Sequence, residues 1–199
     1  AITKINYIPS GITRMDGSFS DLSSIISVPP IPSSVYFMGN TFSHCSSLRV
    51  APKIPSNVEY MQYAFNNCSS LITAPELPSG LLSIIGAFSY CRNLVNAPSV
   101  IPSGITSLKD TFRGCERLVT APLIPSGITD MTYTFAFCSS LKELTLFPTT
   151  PPIYSSTLNG CTELQTIYVP DSAVDAYKTA TGWSQFASKF KPLSEKPSE

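Results

Sequence analysis

Ile124–Leu146 reads IPSGITDMTYTFAFCSSLKELTL, and variants of this string fill most of the chain. Aligned on the first apolar-Pro pair, units begin at Ile8, Ile31, Ile54, Leu77, Ile101, Ile124 and Phe147. The spacing is 23 residues, with one step of 24 where Val100 is added. Apolar residues recur at offsets 0, 4, 7, 11, 14, 17 and 20 within each unit. Offset 7 takes every methionine: Met15, Met38, Met61 and Met131. Offset 11 is Phe in Phe19, Phe42, Phe65, Phe88, Phe112 and Phe135, and Leu158 in the last unit. Offset 14 is Leu22 and then the six cysteines, Cys45, Cys68, Cys91, Cys115, Cys138 and Cys161. Offset 17 is Ile25 followed by six leucines. Internal repetition of this period is the mark of a stacked architecture, in which no unit buries its own apolar face and its neighbours do so.

Offsets of three and four also suit a helical heptad, but proline excludes a coiled coil. One to three prolines stand in every unit, each costing a helix interior about 3 kcal/mol. The spacing therefore predicts a coil that turns after each inward residue. The extended segment is expected from the offset-17 Leu to the next Ile-Pro, as in LITAPELP (Leu71–Pro78). Parallel pairing between coils would satisfy its backbone. The offset-21 prolines lack an N–H, so the strands should be short or irregular. The TFxxC stretch is expected to form a turn or one helical turn on the opposite side.

The cysteine rung is filled once by leucine, so the position asks for a small to medium apolar group, which a free thiol provides. Buried structural thiols are the expectation; disulfides between stacked rungs are the alternative. Zinc has little support, because no C-x2-C pair exists and His44 is the only imidazole. A Cys45–His44 pair lacks an evident orienting third group.

Composition narrows the function. Thirteen basic and thirteen acidic residues leave no net charge, and the 13% of charged residues form no basic stripe for nucleic acid. No apolar run approaches the roughly 18 residues of a spanning helix, so membrane insertion by this region is not expected. No signal-peptide pattern stands at Ala1. Paired carboxylates, a nucleophile motif and a phosphate loop are all missing. The expectation is no enzyme, cofactor or metal, and a monomer.

Residues Ala1–Tyr7 read as the tail of an earlier unit, with Ile2 on the Leu position and Ile5 on the Ala position. The repeat array is assigned to 1–170. Residues 171–191 are expected to cap its end: a helix from Ser172, with Ser172 and Asp175 or Asp171 as capping groups and Gly182 as its stop. Trp183, Phe186, Ala187 and Phe190 would line one face of a second helix ended by Pro192. Trp183 is expected to anchor the cap. Residues 192–199 are expected to be a disordered tail.

IPSSVYFMGNTFSHCSSL (Ile31–Leu48) resembles the BspA-like leucine-rich repeats of bacterial surface proteins, as does the ending IYVPDSAVDAYKTATGW. The units differ from that pattern by Ala-Pro in the strand and by one residue fewer before the Phe. The resemblance implies a leucine-rich-repeat solenoid, repeat α/β to mostly β, with 23-residue units, short parallel strands and a C-terminal helical cap. It also implies an extracellular or cell-surface bacterial location. A non-catalytic adhesion module is implied too, binding a protein or glycan on host or neighbouring cells through an extended face. A structural spacer in a larger surface protein is the alternative.

The candidate contact residues are Phe37, Tyr60, Tyr63, Tyr90, Tyr133 and Phe137, which are small or polar in other units. The competing reading has each ring packing on a neighbouring unit. Arg49, Lys53, Glu76 and Lys142 could instead give the strand face a charge pattern.

Overall fold

The computed structural model describes residues 2–197. Each 23-residue unit forms one coil, and two parallel hydrogen-bonded ladders tie the coils together. The first ladder lies at offset 6, where Arg14, Phe37, Tyr60 and Ser83 pair in succession and Ser107, Asp130 and Ile153 continue the row. The second lies at offset 19 and runs through Val50, Thr73, Asn96, Thr120 and Glu143. Only the second was expected.

Proline decides how wide the second ladder is. Coils carrying Ala-Pro at offsets 20–21 pair through a single residue. Where Thr145 and Tyr168 replace that proline, the N–H returns and true strands form: β1 (Glu143–Thr145) and β2 (Thr166–Val169). They pair in parallel with Glu143 opposite Thr166. A third strand, β3 (Phe190–Pro192), pairs with β2 through Ile167 and Phe190.

The inward offsets stack as continuous columns. Phe42, Phe65, Phe88 and Phe112 are wholly buried, and successive rings of the Phe19-to-Phe135 column lie 5.4–5.8 Å apart, within 20° of parallel. Buried side chains also reach the coil before. Thr41, Thr111, Thr134 and Thr157, at offset 10, donate to the offset-7 carbonyls of Met15, Ile84, Leu108 and Met131. Ala64 and Ala87 hold the same position without that bond.

The turn side repeats a less visible pattern. Offsets 9 and 13 are left-handed in every full unit, from Gly17 and Asp21 to Ser156 and Gly160. Glycine, Asn and Asp suit such a backbone, whereas bulky residues are strained in it. Three aromatics there, Tyr63, Tyr90 and Phe137, lie over glycine in the next coil. A Cβ on Gly86 would sit 2.2 Å from the Tyr63 ring, and one on Gly114 would sit 2.6 Å from the Tyr90 ring.

After the last coil come a 3-10 turn (Asp171–Ala173), helix α1 (Val174–Thr179) and a 3-10 segment (Ser184–Lys189) broken at Phe186 (φ −105°, ψ 17°). None of these is capped by a side chain at its N-terminus. The expected second helix therefore differs from the structure: Phe190 leaves it to join the sheet. Trp183 is buried, its Nε1 donating to the Pro152 carbonyl at 2.8 Å, and the Tyr177 hydroxyl donates to the Pro148 carbonyl at 3.0 Å.

The expected disordered tail also needs correction. Leu193–Glu195 form a 3-10 turn, the Ser194 N–H donates to Asp171 Oδ1, and Lys196 pairs with Glu143. Ser198 and Glu199 lie outside the described residues.

Candidate functional site

The cysteines are the most chemistry-laden repeated residues, and their setting suppresses chemistry. Cys45, Cys68, Cys91, Cys115 and Cys138 are fully buried and Cys161 is partly so; all six are free thiols. Each donates its S–H to the Phe carbonyl of the preceding coil at 3.1–3.2 Å, from Cys45 to Phe19 through Cys161 to Phe135. Burial raises their pKa values, to about 11 for Cys45 and about 12 for Cys161, because a thiolate there would lose its water. Hydrogen bonding from the backbone opposes the rise only in part. A thiol held protonated is a poor nucleophile and a poor metal ligand. Among the described residues, no three His, Cys, Asp or Glu side chains are grouped to hold a metal.

The six candidate aromatics fall into two groups. Phe37 and Tyr60 stack on the first ladder with centroids 5.2 Å apart, and the Arg14 guanidinium lies 4.3 Å over Phe37. Tyr63, Tyr90, Tyr133 and Phe137 are on the turn side at the left-handed positions. Tyr63, Tyr90 and Phe137 lie against Gly86, Gly114 and Gly160 of the next coil. Arg113 sits 5.5 Å from the Tyr90 ring centre and 4.8 Å from that of Tyr133, and pairs with Asp110 at 3.2 Å. The structure therefore does not gather the six into one patch, and it shows contacts within the chain for all of them.

Exposed apolar side chains flank both ladders, Tyr36, Leu82 and Ile153 beside the first, and a further row follows the second. After the inward offset-17 residue, the chain presents offsets 18 and 19 to solvent. Ile26, Val50, Ile72 and Val119 stand there with relative exposures of 61%, 74%, 48% and 41%. The small Ala and the ring of Pro that follow leave troughs beside them. One, of about 780 Å³, is lined by Ala51, Pro52, Ile54, Pro75 and Leu77, with Lys53 and Glu76 from successive coils. A second, of about 510 Å³, lies against Arg49, Val50 and Ile72. Glu76 accepts a hydrogen bond from Ser99, and Lys53 has no ion-pair partner among the described residues. Three of the four charges considered from sequence thus line this face's troughs. The apolar stripe itself was missed, although Ile26, Ile72, Val95 and Val119 recur at one offset.

The chain matches the family described as BspA type leucine rich repeat region, in 6 copies, over residues 1–94 and 61–181. No curated protein matches it. Among solved structures, a leucine-rich repeat protein from Bacteroides ovatus is 20% identical, with a TM-score of 0.60. That alignment covers 96% of this chain and 61% of the other. A leucine rich cell surface protein from Faecalibacterium prausnitzii is 26% identical, with a TM-score of 0.54 and coverages of 88% and 62%. The leucine-rich repeat protein of T. pallidum is 21% identical, with a TM-score of 0.58 and coverages of 88% and 75%. The chain spans about three fifths of the length of the first two of these proteins. With its period, its parallel ladders and these matches together, the chain belongs to the BspA type leucine-rich repeat family.

Proposed function

We propose that the chain is a non-catalytic interaction module of a bacterial cell surface, binding a protein partner through the second-ladder face. The observation that carries this reading is the row of exposed β-branched side chains at offsets 18 and 19 beside proline-walled troughs, one of them lined by Val50 and Ile72. Apolar surface gathered on one side of a molecule marks interaction sites, whereas single exposed residues do not. A stacked array offers such a face over many coils with little ordering cost on binding. Likeness to a leucine rich cell surface protein supports the location.

The test is surface plasmon resonance of the purified chain over immobilised fibronectin, laminin and collagen. Saturable binding to one of them, weakened at least about tenfold by Ile72→Asp with Val119→Asp, is the expected result, since a buried charge without a partner costs several kcal/mol. Binding that survives the double variant would move the site off this face. Silence on all three would favour the spacer, a reading the regular stacking of the coils also supports.

A further inference from the structure

Another trough, of about 380 Å³, runs along the turn side of the first coils, away from the second ladder. That volume is within the range of small-ligand sites, about 300–1,000 Å³. Two rows of side chains wall it, one on each side of the inward cysteine. Asp21, His44 and Asn67 form the offset-13 row, and Ser23, Ser46 and Ser69 the offset-15 row, with Arg92 closing the far end.

The backbone in this trough has little left to offer. The N–H groups of Asp21, His44 and Asn67 donate to Ser43, Asn66 and Ser89 of the next coil. Those of Ser23, Ser46 and Ser69 donate to Asp21, His44 and Asn67. The side chains are largely unspent. Among the described residues, the His44 ring and the Ser23 and Ser69 hydroxyls make no hydrogen bond, and Asp21 uses only Oδ2, toward Ser20. Beyond Asn67 the trough closes: the Tyr90 ring lies over Gly114, and Arg92 pairs with Glu116 at 3.0 Å.

A groove with few apolar walls and no free backbone donors suits neither a peptide strand nor an apolar ligand. It presents carboxylate, imidazole, amide, hydroxyl and guanidinium groups, which together donate to and accept from many hydroxyls. Arg92 is already paired with Glu116, and the Asp21 carboxylate, which has no ion-pair partner among the described residues, disfavours an acidic glycan. Successive coils repeat at about 4.8 Å, close to the length of one pyranose residue in an extended glycan.

We propose that the Asp21–His44–Asn67 trough is a carbohydrate subsite for consecutive pyranose units of a neutral, extended glycan. It is independent of the protein-binding face.

The test is calorimetric titration, with amide chemical-shift mapping, of the full chain against cellotetraose, maltotetraose, N-acetylchitotetraose and the corresponding monosaccharides. At least one tetraose should shift the amides of His44, Ser46, Asn67 and Ser69 and bind about tenfold or more tighter than its monosaccharide. His44→Gly with Asn67→Gly should weaken it about tenfold or more. Both positions are left-handed, so glycine keeps the backbone, and an unchanged thermal midpoint confirms folding. Ile72→Asp with Val119→Asp should leave glycan binding intact, which separates this site from the second-ladder face. Silence of all three tetraoses at the trough, or undiminished binding by the double glycine variant, overturns the proposal.

Discussion

Raising the pH should unfold this protein through its thiol column. In the unfolded chain a cysteine ionises with a pKa near 8.5. In the folded chain burial holds every one of the six higher, with Cys45 at about 11. Below about pH 8.5 both states keep their protons and stability is flat. Between there and the folded pKa values, only the unfolded state releases protons, so stability falls as pH rises.

At pH 9.5 each thiol so raised favours the unfolded chain by about 1.4 kcal/mol. All six thiols are held above that pH, giving about 8–9 kcal/mol, comparable with the 5–15 kcal/mol that holds typical domains. Tyr154 and Tyr177 are also raised by burial from an ordinary value of 10, so they add little at this pH. The assay is urea denaturation followed by far-ultraviolet circular dichroism at pH 7.5, 8.5 and 9.5, with a phosphine reductant present. Replacing Cys68, Cys91 and Cys115 with Ala should reduce the alkaline loss to about 4 kcal/mol, from Cys45, Cys138 and Cys161. A midpoint that stays constant from pH 7.5 to 9.5, or a triple variant as pH-sensitive as the parent, would refute the reasoning.

Three further outcomes follow from the packing. Phe88→Ala removes a ring stacked at 5.8 and 5.7 Å on its two neighbours and should destabilise by about 3–5 kcal/mol in urea denaturation. Gly86→Ala meets both a left-handed backbone and the Tyr63 ring; its cost of about 1–3 kcal/mol should shrink in a Tyr63→Gly background, as a double-mutant cycle would read. Ala64→Thr should add the hydrogen bond to the Met38 carbonyl that its column equivalents make to theirs, raising stability by about 1 kcal/mol in the same denaturation series.

The inward columns were legible because hydropathy records burial directly: Phe, Cys and Leu recur where side chains enter the axis. The narrow second ladder was legible too, since proline announces its missing N–H. The left-handed pairs at offsets 9 and 13 were not. Their occupants run from Gly17 through His44 to Tyr133 and share a backbone angle but no polarity. Tyr63 over Gly86 becomes visible only when one unit is read against the next. Phe190 followed helical spacing yet joined the sheet, because the β2 edge offered backbone partners that a short helix could not. The six aromatics stood out as departures from the repeat, and the structure shows several of them meeting local needs of the stack. The stripe at Ile26, Ile72 and Val119 obeys no inward period, and its exposure shows only once the coil is closed.

Registration of equivalent side chains along a common interior axis is tested most directly by counting thiols with a disulfide reagent. At pH 7.5 the folded chain should show essentially no reaction on the timescale of minutes. The same sample in guanidinium without reductant should show six reactive thiols. Prompt reaction of the folded protein, or fewer than six thiols after denaturation, would contradict an interior column of free cysteines.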